Sequence, residues 1–578
     1  MATGTNGVRP AHAGAARGAG PSTPVLLLLT WLFGASACLL LYLGSKLTFL
    51  LDDWEFLLYR PGLNADSVLD PHGEHIVALP VLIYKALLAT VGMGSALPYR
   101  VVSVGLFLLS AALLFVFLRR RVGDWPALAA TAIVLFLGAA WEDLLWSFQM
   151  TYFGSVAAGL GALLALERED RRGEAVACAL LIVSILFSSL GLSFAIGAAV
   201  HVLLLGGERR RRLYVFLVPI AVYALWWLGW GHTAESSLSF HNLARTPLYV
   251  LDGLANSVGS ATGLVNDSIT VHNRLFWSRP LAVVLVFLAA WRLYRLPRIP
   301  HWFWVVLAVS GSFWILAGFN QMPGREADAS RYQYLGVVFG FMLAAEVLRP
   351  ELERGLRIGR TALAAIALVT VLSVAANLDQ LRDAYRGTYH PISQLEKAGL
   401  GALDIAEATV DPGFVLSEDV VDTGFVNVDA GSYFAAREEH GSPAYSEAEI
   451  AAAPQFVRYA ADKVLFGALA IELETRKAAL TRHLPTKGCE TVPSDGTASP
   501  LLRIPPGGIE IRAGRAPIEQ FEVSRFSTGS APVLVAGVGA GEAGRLAIPR
   551  DNAGEPWKLR LVTPAPALAC PITAGGGG

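Results

Sequence analysis

The chain has 578 residues, of which 54% are hydrophobic and only 16% charged, with a formal net charge of −1; its mean hydropathy is +0.48. A soluble chain of this length would carry more charge, and a near-zero balance argues against a nucleic-acid partner. Several apolar runs approach the roughly 20 residues needed to cross a bilayer, so the composition points to a polytopic membrane protein.

Residues 1–22 are rich in Ala, Gly and Pro and read as a disordered cytoplasmic tail. The run Val25 to Leu43 is too long for a signal-peptide core and lacks a small-residue cleavage site, so it reads as a retained first span. Asp52, Asp53 and Glu55 follow closely. Carboxylates at a membrane edge are costly to desolvate and usually serve chemistry or ions. The plain alternative is a set of solvated loop acids.

The segment Ile76 to Val91 is short for a span. Val101 to Leu118 is a clear one, and it ends in Arg119, Arg120 and Arg121. The positive-inside rule puts that cluster in the cytoplasm. With the first span running outward and this one inward, Ile76 to Val91 is expected to lie on the outer surface or re-enter. Further spans are expected at Ala127–Ala140, Tyr152–Leu166, Ala175–Leu190, Leu192–Leu205, Leu213–Trp230, Leu281–Leu293, Trp302–Phe319, Leu335–Leu348 and Thr361–Ala376. That makes about eleven in all. Arg168, Arg171 and Arg172, the run Arg209 to Arg212, Arg292, Arg295 and Arg298, and Arg354, Arg357 and Arg360 share one parity with Arg119–Arg121. The N-terminus is therefore expected inside, and the Asp52–Asp53 stretch and the C-terminus outside, in a plasma membrane. Abundant Ala, Gly and Arg with few Lys hints at a GC-rich bacterial genome.

Beyond Asp379 charge rises and long apolar runs stop. Ser446 and Glu449 form a capping-box pattern. A helix is expected to follow, divided by Pro454, with its second part reaching Leu473. Ile509 and Ile511, and later Trp557, Leu559 and Leu561, alternate with charged residues. Period-two alternation between Gly- and Pro-rich turns predicts half-buried strands of a small sheet or sandwich. The expected organisation is thus a tail (1–22), a membrane domain (23–378), an extracytoplasmic mixed α/β domain (379–574) and a flexible end (575–578). Cys38 and Cys178 lie in apolar runs and read as buried thiols, whereas Cys489 and Cys570 share the polar region. In an oxidising compartment they form a natural disulfide pair.

Three outer acidic sites could carry chemistry: Asp52–Asp53, Glu74 with His75, and Glu142–Asp143. Such carboxylates can take a proton from a hydroxyl or hold a divalent cation. Arg325 and Arg331, in the stretch Gln321 to Tyr334, break the positive-inside pattern. Arg grips phosphate bidentately where Lys cannot; the alternative is local pairing with Glu326 and Asp328. The long loop from Gly231 to Ser278 adds His232, His241, Arg245, Asp267, His272, Asn273 and Arg274, each more simply a loop residue. Its stretch Leu248 to Val265 is apolar enough to lie along the interface.

Paired acids soon after the first span, the surface segment behind them, and the late motif Ser330-Arg331-Tyr332-Gln333-Tyr334-Leu335 opening a helix together resemble the GT-C superfamily of membrane glycosyltransferases. The resemblance covers roughly Val25 to Ala376. It implies inverting transfer of a sugar from a polyprenyl-phosphate donor to a cell-envelope glycan, lipid or protein acceptor on the outer face. Asp53 would be the base, with Asp52 as alternate or metal contact. Arg325 and Arg331 would hold the leaving phosphate, beside Tyr332, Glu74 and His75, and Glu142 or Asp143 would share the work. A divalent cation (Mg, Mn or Ca) stays open, and no other cofactor is implied. The C-terminal domain is similar in placement to carbohydrate-binding domains of some members. Two other readings stand beside this one: a transporter or flippase of lipid-linked saccharide, and a non-catalytic glycan-binding envelope protein. Spans nearly free of charge, with polar groups gathered on one face, favour surface chemistry over transit.

The topology is testable with reporter fusions after Arg121, Arg212 and Ala376. The first two should report cytoplasmic and the third outside; a cytoplasmic signal after Ala376 would take the outward-facing acids with it.

Overall fold

The computed structural model describes residues 20–205, 209–234, 236–263, 277–354, 358–416, 428–477, 488–493, 499–528 and 537–572. The expected tails, apart from residues 20–22, lie outside these, as do Asp267, His272, Asn273 and Arg274. The chain divides into two units. The first is Met1–Ser45, Gly62–Tyr84 and Pro98–Thr388; the second is Lys46–Pro61, Lys85–Leu97 and Tyr389–Gly578.

The first unit is helical. Every segment expected to span is built on helix: Thr23–Gly44, Leu97–Val122, Asp124–Leu135, Met150–Leu166, Arg171–Phe187, Gly191–Leu204, Tyr214–Gly229, Ser278–Tyr294, His301–Phe319, Ser330–Glu353 and Arg360–Ala384. Among the described residues six helices are long and apolar enough to cross a membrane, or seven if a bent pair counts as one span. Ala78–Val91, at 14 residues, is not one of them. On Ser278–Tyr294 the run Val283 to Leu288 is exposed throughout, which in a membrane protein is a lipid-facing surface.

One of the expected spans is broken. Asp124–Leu135 and Gly138–Leu145 meet at 41°. At the break the helix Arg360–Ala384 passes too close for a side chain. A Cβ on Gly138 would lie 1.7 Å from the Asn377 carbonyl oxygen. Asn377, fully buried, supplies what the break leaves unmet. Its Oδ1 accepts the Ala139 N–H at 3.1 Å, and its Nδ2 donates to the Ser260 carbonyl at 3.1 Å. Irregular backbone at membrane depth is tolerated only with such internal partners. The break turns Trp141–Leu145, with Glu142 and Asp143, out of line with the preceding helix.

The Arg119–Arg121 end of its helix is tied rather than solvated. Arg121, buried, pairs with Glu167 at 2.7 Å and with Glu346, and stacks on Phe117 at 3.4 Å. A buried cation persists only with partners of this kind.

The second unit mixes helices with three antiparallel sheets among the described residues, the smallest pairing Val415–Leu416 with Val428–Asp429. Ser446 and Glu449 make both bonds of the capping box, opening Glu447–Ala452, and Pro454 separates it from Gln455–Ala468. That second helix ends at Ala468 and not at Leu473. Ala470 turns into the left-handed region (φ 47°), and Leu473 opens a strand paired with Leu546. The largest sheet runs Leu473–Lys477, Glu542–Leu546, Ile509–Arg512, Ala567–Pro571, Glu490–Val492; the next runs Leu502–Arg503, Lys558–Val562, Gln520–Ser524. Ile509, Ile511, Leu559 and Leu561 are the buried members of their alternations. The buried Asp462 carboxylate joins helix to strand, accepting the N–H groups of Arg525, Phe526 and Ser527 at 2.9–3.0 Å.

Cys489 and Cys570 are bonded, with Cα atoms 4.2 Å apart across 81 residues; Cys38 and Cys178 are free, and of the two only Cys178 is buried as expected, Cys38 being exposed on its apolar helix. Closing a loop of this length stabilises by about 4 kcal/mol in the chain-entropy view. Unfolding without reductant should leave only Cys38 and Cys178 open to thiol labelling, and Cys489→Ser should lower the melting temperature of the unit. Labelling of all four cysteines in the unreduced protein would contradict the bond.

Candidate functional site

Two Arg–Glu pairs of the first unit, Glu74 with Arg325 and Glu142 with Arg331, hold several of the expected site residues. The first begins in the loop after Pro71. His72 and His75 exchange N–H···O bonds at 3.0 Å each, and Gly73 takes a left-handed φ of 54°. This tight loop presents Glu74, whose Oε2 accepts from Arg325 Nη1 at 2.5 Å, while His75 Nε2 stands 3.7 Å from Glu74 Oε1. A Cβ on Gly73 would lie 3.2 Å from Arg325 Nη2, so the guanidinium comes right up to this turn. Arg325 is set by its own loop: its N–H donates to the Met322 carbonyl at 2.9 Å, and its carbonyl accepts from the Tyr249 hydroxyl at 3.0 Å.

The second pair forms where the broken span meets the helix Ser330–Glu353. Ser330 Oγ donates to the Ala139 carbonyl at 2.8 Å and accepts from the Glu142 N–H at 3.2 Å. Glu142 Oε2 accepts the Arg331 backbone N–H at 2.8 Å and faces Arg331 Nε at 3.4 Å. One carboxylate thus satisfies an N-terminal helix N–H and grips the side chain that follows it. Anions favour this end of a helix. Gln333 Nε2 donates to the Ala329 carbonyl at 3.0 Å, tying the Arg325 loop to the same helix.

Asp143 is fully buried, and neither carboxylate oxygen has a hydrogen-bond partner among the described residues. The charges acting on it are Glu142 and Arg331. Tyr152 feels Arg331, Asp143 and Glu74 together, and Tyr332 feels Arg331, Arg325 and Glu74 while bonding Tyr249. Three phenols therefore stand among the two pairs. Of the expected site residues, Glu74, His75, Glu142, Asp143, Arg325, Arg331 and Tyr332 come together. Arg325 pairs with Glu74 and Arg331 with Glu142, both distant in sequence. Tyr152 and Tyr249 were not singled out from sequence. Their only signal is a tyrosine beside an acidic pair and one on an interfacial stretch.

Asp52 and Asp53 belong to the second unit. Asp53 opens the helix Asp53–Leu58 and is fully buried. Its Oδ2 accepts the Leu50 N–H at 2.9 Å, and its own N–H donates to the Leu50 carbonyl at 3.0 Å. Between them Leu51 holds φ at 49°, a strained value for a residue with a Cβ. Asp52 is half-buried. Among the described residues no three His, Cys, Asp or Glu side chains gather as a metal site.

No protein-family model matches the chain, and no curated protein does. Among solved structures, ArnT from Cupriavidus metallidurans, solved bound to undecaprenyl phosphate, is similar over 76% of this chain and 88% of that one, at 14% identity and a TM-score of 0.42.

The Glu74–Arg325 pair has a pH signature. Burial would raise the Glu74 pKa, but the charges of His75 and Arg325 and the Arg325 hydrogen bond outweigh it and hold the carboxyl below its ordinary 4.5. A depressed native pKa gives stability that is present above the unfolded value and lost as pH falls through the native one. Glu74→Gln should cost about 1 kcal/mol at neutral pH, since about a quarter of each side chain is exposed. The gap in melting temperature from the parent should close as pH drops below 4.5; a gap independent of pH would mean the carboxylate charge does no work there.

Proposed function

We propose that the protein is a membrane glycosyltransferase that moves a sugar from a polyprenyl-phosphate donor to a hydroxyl of a cell-envelope acceptor. The observation that carries this reading is the pairing of Arg325 with Glu74 and Arg331 with Glu142 in one tyrosine-lined cluster. Two guanidinium groups fixed in orientation are suited to a phosphate, which they can grip through planar forks. A phosphate departing from an anomeric carbon needs positive charge at its oxygens more than it needs an acid.

In the proposed step the acceptor oxygen attacks the anomeric carbon. The bond from that carbon to the phosphate oxygen breaks, and the lipid phosphate leaves with the electron pair. The acceptor proton passes to a carboxylate. Asp53 is assigned that role on its place after the first span and on the strained, buried turn that holds it. Asp143, buried beside Arg331 without hydrogen-bond donors among the described residues, is the acid to compare with it. The domain organisation, the outward orientation of the site, and glycan binding by residues 379–574 are parts of the same proposal.

The assay supplies undecaprenyl-phosphate-linked sugars in membranes and follows release of lipid phosphate. Asp53→Asn should lose about 10²- to 10⁴-fold in rate while lipid-phosphate binding survives. Arg331→Lys should weaken that binding and turnover together, because a point charge replaces a fork. A large loss in Asp143→Asn with Asp53→Asn active would move the base to the first unit. Full transfer in both acid variants and in Arg331→Lys would leave the reading without support.

A further inference from the structure

A cleft of about 520 Å³ lies against the amphipathic helix Phe240–Thr262 and the loop around Gln321–Asp328. Its size is that of a small-molecule site, commonly about 300–1,000 Å³. Ser239 caps the helix through the Asn242 N–H. Asn242 then locks one wall: its Nδ2 donates to the carbonyls of Ser237, Phe319 and Gln321 at 2.7–3.2 Å. Gln321 answers with bonds to Gly318 and Asn242 carbonyls. These amides are fully engaged in holding backbone.

Asn256 is different. It lines the same cleft and is 1% exposed, yet its Nδ2 has no acceptor among the described residues. A buried amide donor without a partner is costly and is rare in native structures. A ligand oxygen would complete it. The rest of the lining fixes what kind of ligand. Asp252, Glu326 and Asp328 outnumber the one guanidinium in the lining, Arg245, which bonds His241 Nε2 at 3.2 Å, even with Arg279 paired to Asp252 at 2.7 Å from outside it. A lining with more carboxylates than guanidinium groups disfavours a phosphate and accepts hydrogen bonds from hydroxyls. Leu248, Tyr249, Met322 and Pro323 offer an apolar face. Hydroxyls that both donate and accept, on a ring with apolar faces, match this set; an anion or a plain hydrocarbon does not.

We propose that this cleft binds the uncharged saccharide end of the acceptor, with Asn256 Nδ2 donating to a sugar oxygen. The proposal rests on the transferase reading. What links the two is Tyr249, which lines the cleft and also donates to the Arg325 carbonyl at 3.0 Å. The loop that carries Arg325 supplies the opposite wall. Acceptor and donor phosphate would therefore share one loop while contacting different side chains of it.

The test uses the full chain in nanodiscs, titrated with uncharged disaccharides: maltose, cellobiose, α-1,2-mannobiose and arabinobiose. Saturation-transfer NMR reads the sugar, and a parallel titration reads undecaprenyl phosphate. At least one disaccharide should bind the parent protein. Asn256→Leu should weaken it by about tenfold, the effect of one buried hydrogen bond. Glu326→Ala, at an exposed rim position where folding is not at stake, should weaken it as well. Lipid-phosphate binding should be unchanged in both. Failure of every disaccharide to bind the parent, or binding unaltered in both variants, overturns the proposal. Should Arg331→Lys leave lipid-phosphate binding intact while Asn256→Leu abolishes sugar binding, the phosphate reading falls and the saccharide cleft stands.

Discussion

The first unit depends on how it satisfies the backbone around one break. A span interrupted after Leu135 leaves amide groups that water cannot reach, at about 1–3 kcal/mol for each buried group left unpaired. Asn377 takes one of them, at Ala139, and Ser330 bridges Ala139 to Glu142. Glu142 then accepts the Arg331 N–H. The same bonds that make the break tolerable therefore set the first turn of the helix Ser330–Glu353. Through that turn they set Arg331. Removal of Glu142 would release a helix terminus as well as a side chain, a loss of about 0.3–1 kcal/mol from the dipole alone.

A guanidinium prepared in this way has both a benefit and a cost. Glu142 fixes the plane of Arg331, so little side-chain freedom remains to be lost when an anion arrives. The same carboxylate competes with that anion for charge. Arg325 and Glu74 repeat the arrangement. The two Arg–Glu pairs sum to no net charge and Asp143 adds no positive one, so field strength alone would not draw a phosphate to the cluster. On the proposed reading its selectivity would come from geometry, from donors arranged in planes that fit a tetrahedral anion, and from the low dielectric around Tyr152 and Tyr332. This fits a site that meets its substrate laterally in a membrane better than one that steers an ion in from bulk water.

The sequence made the apolar segments legible because hydropathy is local. Each of the eleven is built on helix, and Ala78–Val91 is short, as its composition indicated. It also exposed Glu74, Glu142, Arg325 and Arg331 individually, since polar residues between apolar runs stand out. Their pairing was out of reach. Glu74 and Arg325 are 251 residues apart, and Ala139 and Asn377 are 238 apart. Sequence proximity pointed to Glu326 and Asp328, whereas Arg325 pairs with Glu74 and Arg331 with Glu142. The end of the helix at Ala468 was hidden for the same reason: Leu473 is a strand residue only because Leu546 pairs with it. Asn256 gave no signal, because an amide in an amphipathic stretch looks solvated until its neighbours are known.

The turn at Asp52–Asp53 shows how a bland and a functional account can share one geometry. Asp53 has a structural task, closing the turn through Leu50. That alone could explain a buried carboxylate there. It does not explain Leu51 at φ 49°, which costs about 1–3 kcal/mol in a residue with a Cβ. The cost is met by packing. Phe49 and Trp54 are fully buried and stack edge to face at 5.6 Å, Leu50 is buried between them in sequence, and the Trp54 indole donates to Glu396. Such neighbours fix both ends of the turn and leave Leu51 no relaxed alternative. Two adjacent carboxylates are thereby carried on a rigid element rather than a loose loop. Rigidity of this kind is what the base role proposed for Asp53 would require, since such a group must meet a reacting hydroxyl within a fraction of an ångström.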